Sequence, residues 1–233
     1  MNNAGAFDLI AEGSILSNYY PLTEEGYMLI VEGPDGAGKS ILAEKLSRDL
    51  RMPIATKVVG ADTQPLLDLG KWTEDNLNKG FQRMVFDRHR LISEPIYGPA
   101  TRNNQDVNFL DLGWLADMVH RFYQTQPIVI YCLPDLQVVR ANVVREDTDN
   151  QVVAGRISAI YAGYVSRAAV DLAQARLPVK VYNYKVTRYE DLLGWAARRF
   201  EERAMQDVNR SAFPEQSPAS RAAAHKPRNL RFI

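Results

Sequence analysis

One stretch of the chain, Val31-Glu-Gly-Pro-Asp-Gly-Ala-Gly-Lys-Ser40, limits the possible folds more than any other. It contains Gly33-x-x-x-x-Gly38-Lys39-Ser40, directly after the apolar run Tyr27–Val31 and directly before Ile41, Leu42, Leu46 and Leu50 at helical spacing. A strand, a glycine-rich loop and an amphipathic helix in that order form a phosphate cradle. The glycines let backbone N–H groups approach phosphate oxygens, and the helix start adds the positive end of its dipole. The residues assigned to the nucleotide are Gly33, Pro34, Asp35, Gly36, Ala37, Gly38, Lys39, Ser40 and Ile41. In such a loop the lysine reaches the β- and γ-phosphates and the hydroxyl of the following serine ligates magnesium. The pattern predicts binding of a nucleoside triphosphate with Mg²⁺.

The rest of the chain agrees with an α/β fold. Apolar runs at 27–32, 53–59, 83–87, 127–133 and 179–184 read as strands. Helical patterns fall near 39–51, 65–80, 104–124, 135–146, 154–176 and 188–206. Such alternation predicts right-handed crossovers and a five-stranded parallel sheet with helices on both faces. Ligands gather at the carboxyl ends of such strands, so the glycine-rich loop, Asp87 and its followers, and the segment after Leu133 should converge.

The length of 233 residues suits one such domain. Lysine and arginine total 28, as do aspartate and glutamate, so the whole chain has no net pull towards nucleic acid. No apolar run is long enough to span a membrane. The single cysteine excludes an internal disulfide framework. Residues 1–38 hold acids but no lysine or arginine, so the expected location is the cytoplasm, a host's cytoplasm if the chain comes from a phage. After Ser217 the balance reverses: Arg221, Lys226, Arg228 and Arg231 occur without an acid, in a stretch lacking any period.

Two further constellations carry chemistry. The third strand ends in Asp87-Arg88-His89, an acid and a base at a sheet edge. Beside a phosphate cradle, Asp87 suits the magnesium shell or the acceptor hydroxyl, and Arg88 suits a phosphate. Glu94, read as a loop carboxylate, is a second candidate to take a hydroxyl proton. Beyond the fourth strand, Arg140, Arg145 and Arg156 surround the acidic segment 146–151, placed to screen a moving γ-phosphoryl.

The segments "EGPDGAGKS", "DRHRLISEPIYG" and "CLPDLQVVRANVVRE…GRISAIYAGY" together resemble the thymidylate kinase family over residues 27–200. The resemblance implies a nucleoside monophosphate kinase-like fold, ATP as the triphosphate and a pyrimidine deoxynucleotide acceptor. It implies that Asp35 contacts the acceptor sugar, Arg88 the acceptor, and Tyr161 or Tyr164 the base. Gly36 stands where some members carry a loop arginine, which shifts the transition-state arginine to the lid, with Arg145 the choice. The catalytic set is then Lys39, Asp87, Arg88, Arg145 and Glu94, with Ser40 and Asp87 on the metal. Domain boundaries follow: an N-terminal extension at 1–26, a P-loop kinase domain at 27–206 and a basic, disordered tail at 207–233.

One departure bears on the acceptor. The family's Arg-Glu-Pro phosphate clamp after the second strand is replaced by Thr56-Lys57-Val58-Val59-Gly60. Divergent phage relatives phosphorylate 5-hydroxymethyluracil within DNA. The lost clamp and basic tail favour that acceptor slightly over free thymidine monophosphate, and a P-loop ATPase without an acceptor is a third reading. No membrane partner is expected, and a homodimer is compatible with the sequence.

Overall fold

The computed structural model describes residues 27–55, 83–101, 119, 122–123, 125–145 and 151–212. Five strands form one parallel sheet: β1 (Tyr27–Glu32), β2 (Ile54–Ala55), β3 (Arg83–Asp87), β4 (Ile128–Cys132) and β5 (Val179–Tyr182), in the order β2-β3-β1-β4-β5. Among the described residues five helices flank it: α1 (Lys39–Asp49), α2 (Arg90–Thr101), α3 (Leu136–Arg145), α4 (Gln151–Gln174) and α5 (Tyr189–Ala212). The expected sheet is therefore present, with β1 central. Its carboxyl end is flanked by those of β3 and β4, where Val31 faces Asp87 and Ile130.

The alternation of side chains along a strand divides the core in two. Leu29, Val31, Val85, Ile128, Ile130 and Cys132 point to one face and meet Leu42 and Leu46 of α1, Val139 and Val143 of α3, and Leu192 and Leu193 of α5. Met28, Ile30, Met84, Phe86, Val129 and Tyr131 point to the other and meet Ile92 of α2 and Ile160, Tyr164 and Ala168 of α4. Burial on both faces accounts for the apolar runs of the central strands, as parallel sheets require.

Three expectations change. Helix α2 covers Arg90–Thr101, where no helix was expected, and it has Pro95 and Pro99 inside it. Each proline removes one backbone donor, but Ile92 is buried and Ile96 and Tyr97 pack on the α4 core, which holds the helix together. Glu94 therefore lies within a helix and not on a loop. Ile41 belongs to the surface rather than the core stripe, being 69% exposed. Tyr164, expected near a base, is fully buried.

The helical patterns at 65–80 and 104–118, the strand continuation and altered clamp at 56–60, the acidic segment 146–150, the N-terminal extension, and 213–233 of the basic tail lie outside the described residues. Helix α5 runs past the expected end at 206 to Ala212. Among the described residues no helix is long and apolar enough to cross a membrane.

Candidate active site

The cradle follows from the backbone. Gly33 has φ 146°, and a Cβ there would lie 2.4 Å from the Cys132 carbonyl oxygen, so only glycine lets β1 turn out of the sheet beside β4. Gly36 has φ 73° and lies against α3: a Cβ would fall 2.7 Å from the Val139 carbonyl oxygen and 2.8 Å from Val143 Cγ2. Asn142 Nδ2 donates to the Gly36 carbonyl at 2.8 Å, fixing the loop to the same helix. Gly38 caps α1, and no side chain bonds the helix's first amides. Those amides are open to an anion.

Lys39 is buried, and its ammonium donates to the Pro34 carbonyl at 2.7 Å and lies 3.8 Å from Asp35. Burial, and then the positive charge of Arg88, lower its pKa to about 8 despite three nearby acids. A cation held so loosely to its proton gains from any anion brought beside it.

The Ser40 hydroxyl donates to Asp87 Oδ2 at 2.6 Å, joining the first residues of α1 to the end of β3. The other oxygen, Asp87 Oδ1, is buried without a hydrogen-bond partner. A hydroxyl beside a carboxylate with one oxygen unspent is a hard-oxygen donor pair that fits magnesium. Among the described residues no cluster of three or more His, Cys, Asp or Glu could hold a metal ion.

Arg88 follows with φ 73°, a left-handed conformation that side-chain-bearing residues rarely adopt. Its guanidinium pairs with Asp35 and bonds the Tyr97 hydroxyl at 2.9 Å, while Nε is buried without a partner. The Tyr97 hydroxyl donates to Asp35 Oδ2 and accepts the Asp35 N–H, both at 3.1 Å. Burial alone would raise the Asp35 pKa, but Arg88 and Lys39 hold it below the usual carboxylate range. Burial works against the Arg88 charge too, yet Tyr97 and Asp35 leave its pKa raised.

A cavity of about 520 Å³ opens beside the cradle, lined by Gly38, Ile41, Lys45, Asn142, Arg145 and Tyr184 among others. Its volume suits a nucleoside. Of the three lid arginines, Arg145 reaches this cavity. Arg140 is spent on Ser158 of α4 at 2.7 Å, and Arg156 is exposed on α4.

Among the predicted residues the structure joins Lys39, Asp35, Ser40, Asp87 and Arg88 into one contiguous group. Glu94 sits in α2 one turn before Tyr97, so the two share a helix face. His89 is buried between Phe86 and Phe122, and burial drives its pKa down to about 3, so it is neutral and not a base. Sequence reasoning missed Glu32 and gave Tyr97 no role.

This sheet order, with the glycine cradle between β1 and α1, defines the α/β P-loop NTPase fold. Among solved structures the chain is similar to the deoxyadenosine kinase of M. mycoides with the products dCMP and a flexible dCDP bound: TM-score 0.52, 15% identity, covering 75% of this chain and 99% of that one. It also matches the YorR protein of Bacillus subtilis, in complex with phosphorylated GDP, at TM-score 0.49 and 20% identity, covering 75% of this chain and 95% of that one. The first match shares the fold. No protein-family model matches the chain, and no curated protein matches it in sequence.

Proposed function

We propose that the chain is an ATP-dependent phosphotransferase acting on a thymidine-like acceptor, through a hydroxyl oxygen of the base or a phosphate oxygen of the free nucleotide. The favoured acceptor is the 5-hydroxymethyl group of 5-hydroxymethyluracil in DNA, with free thymidine monophosphate the alternative. One observation supports this most. At the mouth of β3, consecutive residues present buried atoms of opposite need, Asp87 Oδ1 wanting a cation or proton and Arg88 Nε–H wanting an oxygen. Both lie beside the phosphate cradle, where a reacting phosphoryl and its acceptor would meet.

The residues divide the work. The α1 amides and Lys39 bind the triphosphate, with phosphate oxygens taking the place of the Pro34 carbonyl at the ammonium. Ser40 and Asp87 would hold magnesium, which would supply charge neutralisation to the triphosphate. Arg145, at the cavity, neutralises the γ-phosphoryl in flight. The acceptor oxygen forms its bond to γ-phosphorus as the bond to the β-phosphate oxygen breaks. The hydroxyl proton passes to a carboxylate, Asp87 or Glu94, and ADP leaves. Arg88, oriented by Asp35 and Tyr97, directs Nε to an acceptor oxygen.

The acceptor assignment draws on the sequence. It lacks the phosphate clamp of thymidylate kinases, and Arg88 already spends Nη2 on Asp35 and Tyr97. The neighbour named a deoxyadenosine kinase supports a deoxynucleoside unit in general.

The test uses γ-labelled ATP with, separately, hydroxymethyluracil-containing DNA, thymidine monophosphate and free deoxynucleosides. Label in the DNA supports the favoured acceptor. Label only in thymidine monophosphate or a free deoxynucleoside replaces it with that small molecule. Phosphate release with no labelled acceptor would instead make the chain a P-loop ATPase.

A further inference from the structure

Glu32 closes β1 immediately before Gly33 and has no exposed surface. A carboxyl in the interior is costly unless its oxygens are occupied. Both are. Oε1 accepts the His89 backbone N–H at 2.5 Å and Oε2 accepts the Tyr164 hydroxyl at 2.9 Å. The donors come from the turn between β3 and α2 and from the middle of α4. Nothing in the proposed chemistry uses this residue.

Its position relative to Arg88 gives it a role. Arg88 keeps a left-handed backbone, and such a residue persists only where its surroundings over-determine it. Two consecutive residues of β1 catch two consecutive amides of the turn: the Val31 carbonyl takes the Arg88 N–H at 3.0 Å, and the Glu32 carboxylate takes the His89 N–H. The peptide between Arg88 and His89 is thereby fixed in rotation. Its orientation sets the direction in which the guanidinium leaves the backbone.

We propose that Glu32 is a positioning residue for the acceptor side: by holding the His89 amide it keeps Arg88 in the left-handed conformation that aims its guanidinium at Asp35 and the acceptor. The inference rests on the reading of Arg88 as an acceptor-side donor. Electrostatics agree. Burial raises the Glu32 pKa to about 7, against the pull of the His89 amide, Arg88, Tyr164 and Lys39. Those groups surround the carboxyl from the turn, α4 and α1. Either protonation state can accept the His89 N–H, so the constraint is geometric before it is ionic.

Two substitutions in the full chain separate geometry from charge. In Glu32→Gln the amide oxygen can accept the His89 N–H while the NH₂ donates to the Tyr164 oxygen, so both bonds survive without the charge. Glu32→Ala removes both. The expected result for Glu32→Ala is an acceptor KM raised about tenfold or more, as loss of a buried bond to a charged group implies, with ATP affinity within about twofold of wild type. Hydrogen exchange at the His89 amide should accelerate about tenfold or more in the same variant. Glu32→Gln should restore both quantities.

Unchanged acceptor KM or unchanged His89 exchange in Glu32→Ala overturns the proposal. So does an equal loss of ATP affinity, which marks a general structural role, or a Glu32→Gln variant as impaired as Glu32→Ala. If Glu32→Ala does not fold, Tyr164→Phe replaces it. Loss of one carboxylate anchor should then raise acceptor KM and spare ATP binding, and a silent Tyr164→Phe overturns the proposal. If the wild type labels no acceptor, phosphotransfer itself falls, and His89 exchange still decides whether Glu32 holds the turn.

Discussion

The two halves of the site are built from different materials. On the donor side the working groups are a backbone cradle, the Gly38-capped start of α1 and the loop peptide at Gly36, and separate charged side chains, Lys39 and Arg145. On the acceptor side they are side chains: Asp35, Arg88 and Tyr97 bond one another, and Glu32 holds the His89 amide beside them. A backbone cradle tolerates exchange of the side chains around it, except where packing forbids one. A network of buried side chains does not, because each deletion leaves a partner's donor or acceptor unsatisfied. The donor half should therefore fail through lost charge or broken packing, the acceptor half through lost orientation.

The largest expected effect is on charge. Arg145→Ala should lower kcat about 1,000-fold while ATP affinity changes little, because the group acts on the transferring phosphoryl. Steady-state kinetics with an ATP titration checks this, and a silent Arg145→Ala with a damaged Arg140→Ala or Arg156→Ala would move the role along the lid. Lys39→Ala should cost about 100-fold or more in transfer rate, as for one central electrostatic contact. Retention of more than about a tenth of the rate would break the donor half of the comparison.

Packing comes next. Gly36→Ala introduces a Cβ against Val139 and Val143 at a positive φ. It should destabilise the fold by about 2–3 kcal/mol in urea unfolding, from overpacking together with backbone strain. A neutral Gly36→Ala would mean that α3 is free to retreat from the loop.

The smallest effects are those of pH, and they distinguish the halves by sign. The raised pKa of Glu32, about 7, means that the folded chain binds more protons than the unfolded one between the ordinary glutamate value of 4.5 and about 7. Its contribution to stability is full below 4.5 and is lost as pH rises through about 7. Lys39 behaves oppositely. Its lowered pKa, about 8, makes its penalty complete below that pH and removes it as pH climbs to 10.5. Melting temperature against pH should show the first slope vanish in Glu32→Gln and the second in Lys39→Met.

Legibility in the sequence follows the same division. The strands could be read because a central parallel strand buried on both faces is an unbroken apolar run, and the cradle because its residues are contiguous. Helix α2 could not, since Pro95 and Pro99 argue locally against it and only packing on α4 overrules them. Gly163 makes that packing possible: a Cβ there would lie 2.8 Å from Ile96 Cγ2. The place of Glu94 was misread with its helix. Tyr97 meets Asp35 across 62 residues of chain, a contact that no spacing announces. Glu32 did leave a signal: a lone acid ending an apolar strand must find donors inside the protein.

The contact of Gly36 with α3 has a consequence for the history of such a chain. No side chain fits at position 36 while Val139 and Val143 occupy their places. A lineage starting from this packing meets a cost of about 2–3 kcal/mol at the first substitution in the loop, because that step overlaps the backbone of a helix. Glycine there and the course of α3 are therefore coupled, and a loop cation becomes accessible once the helix has shifted.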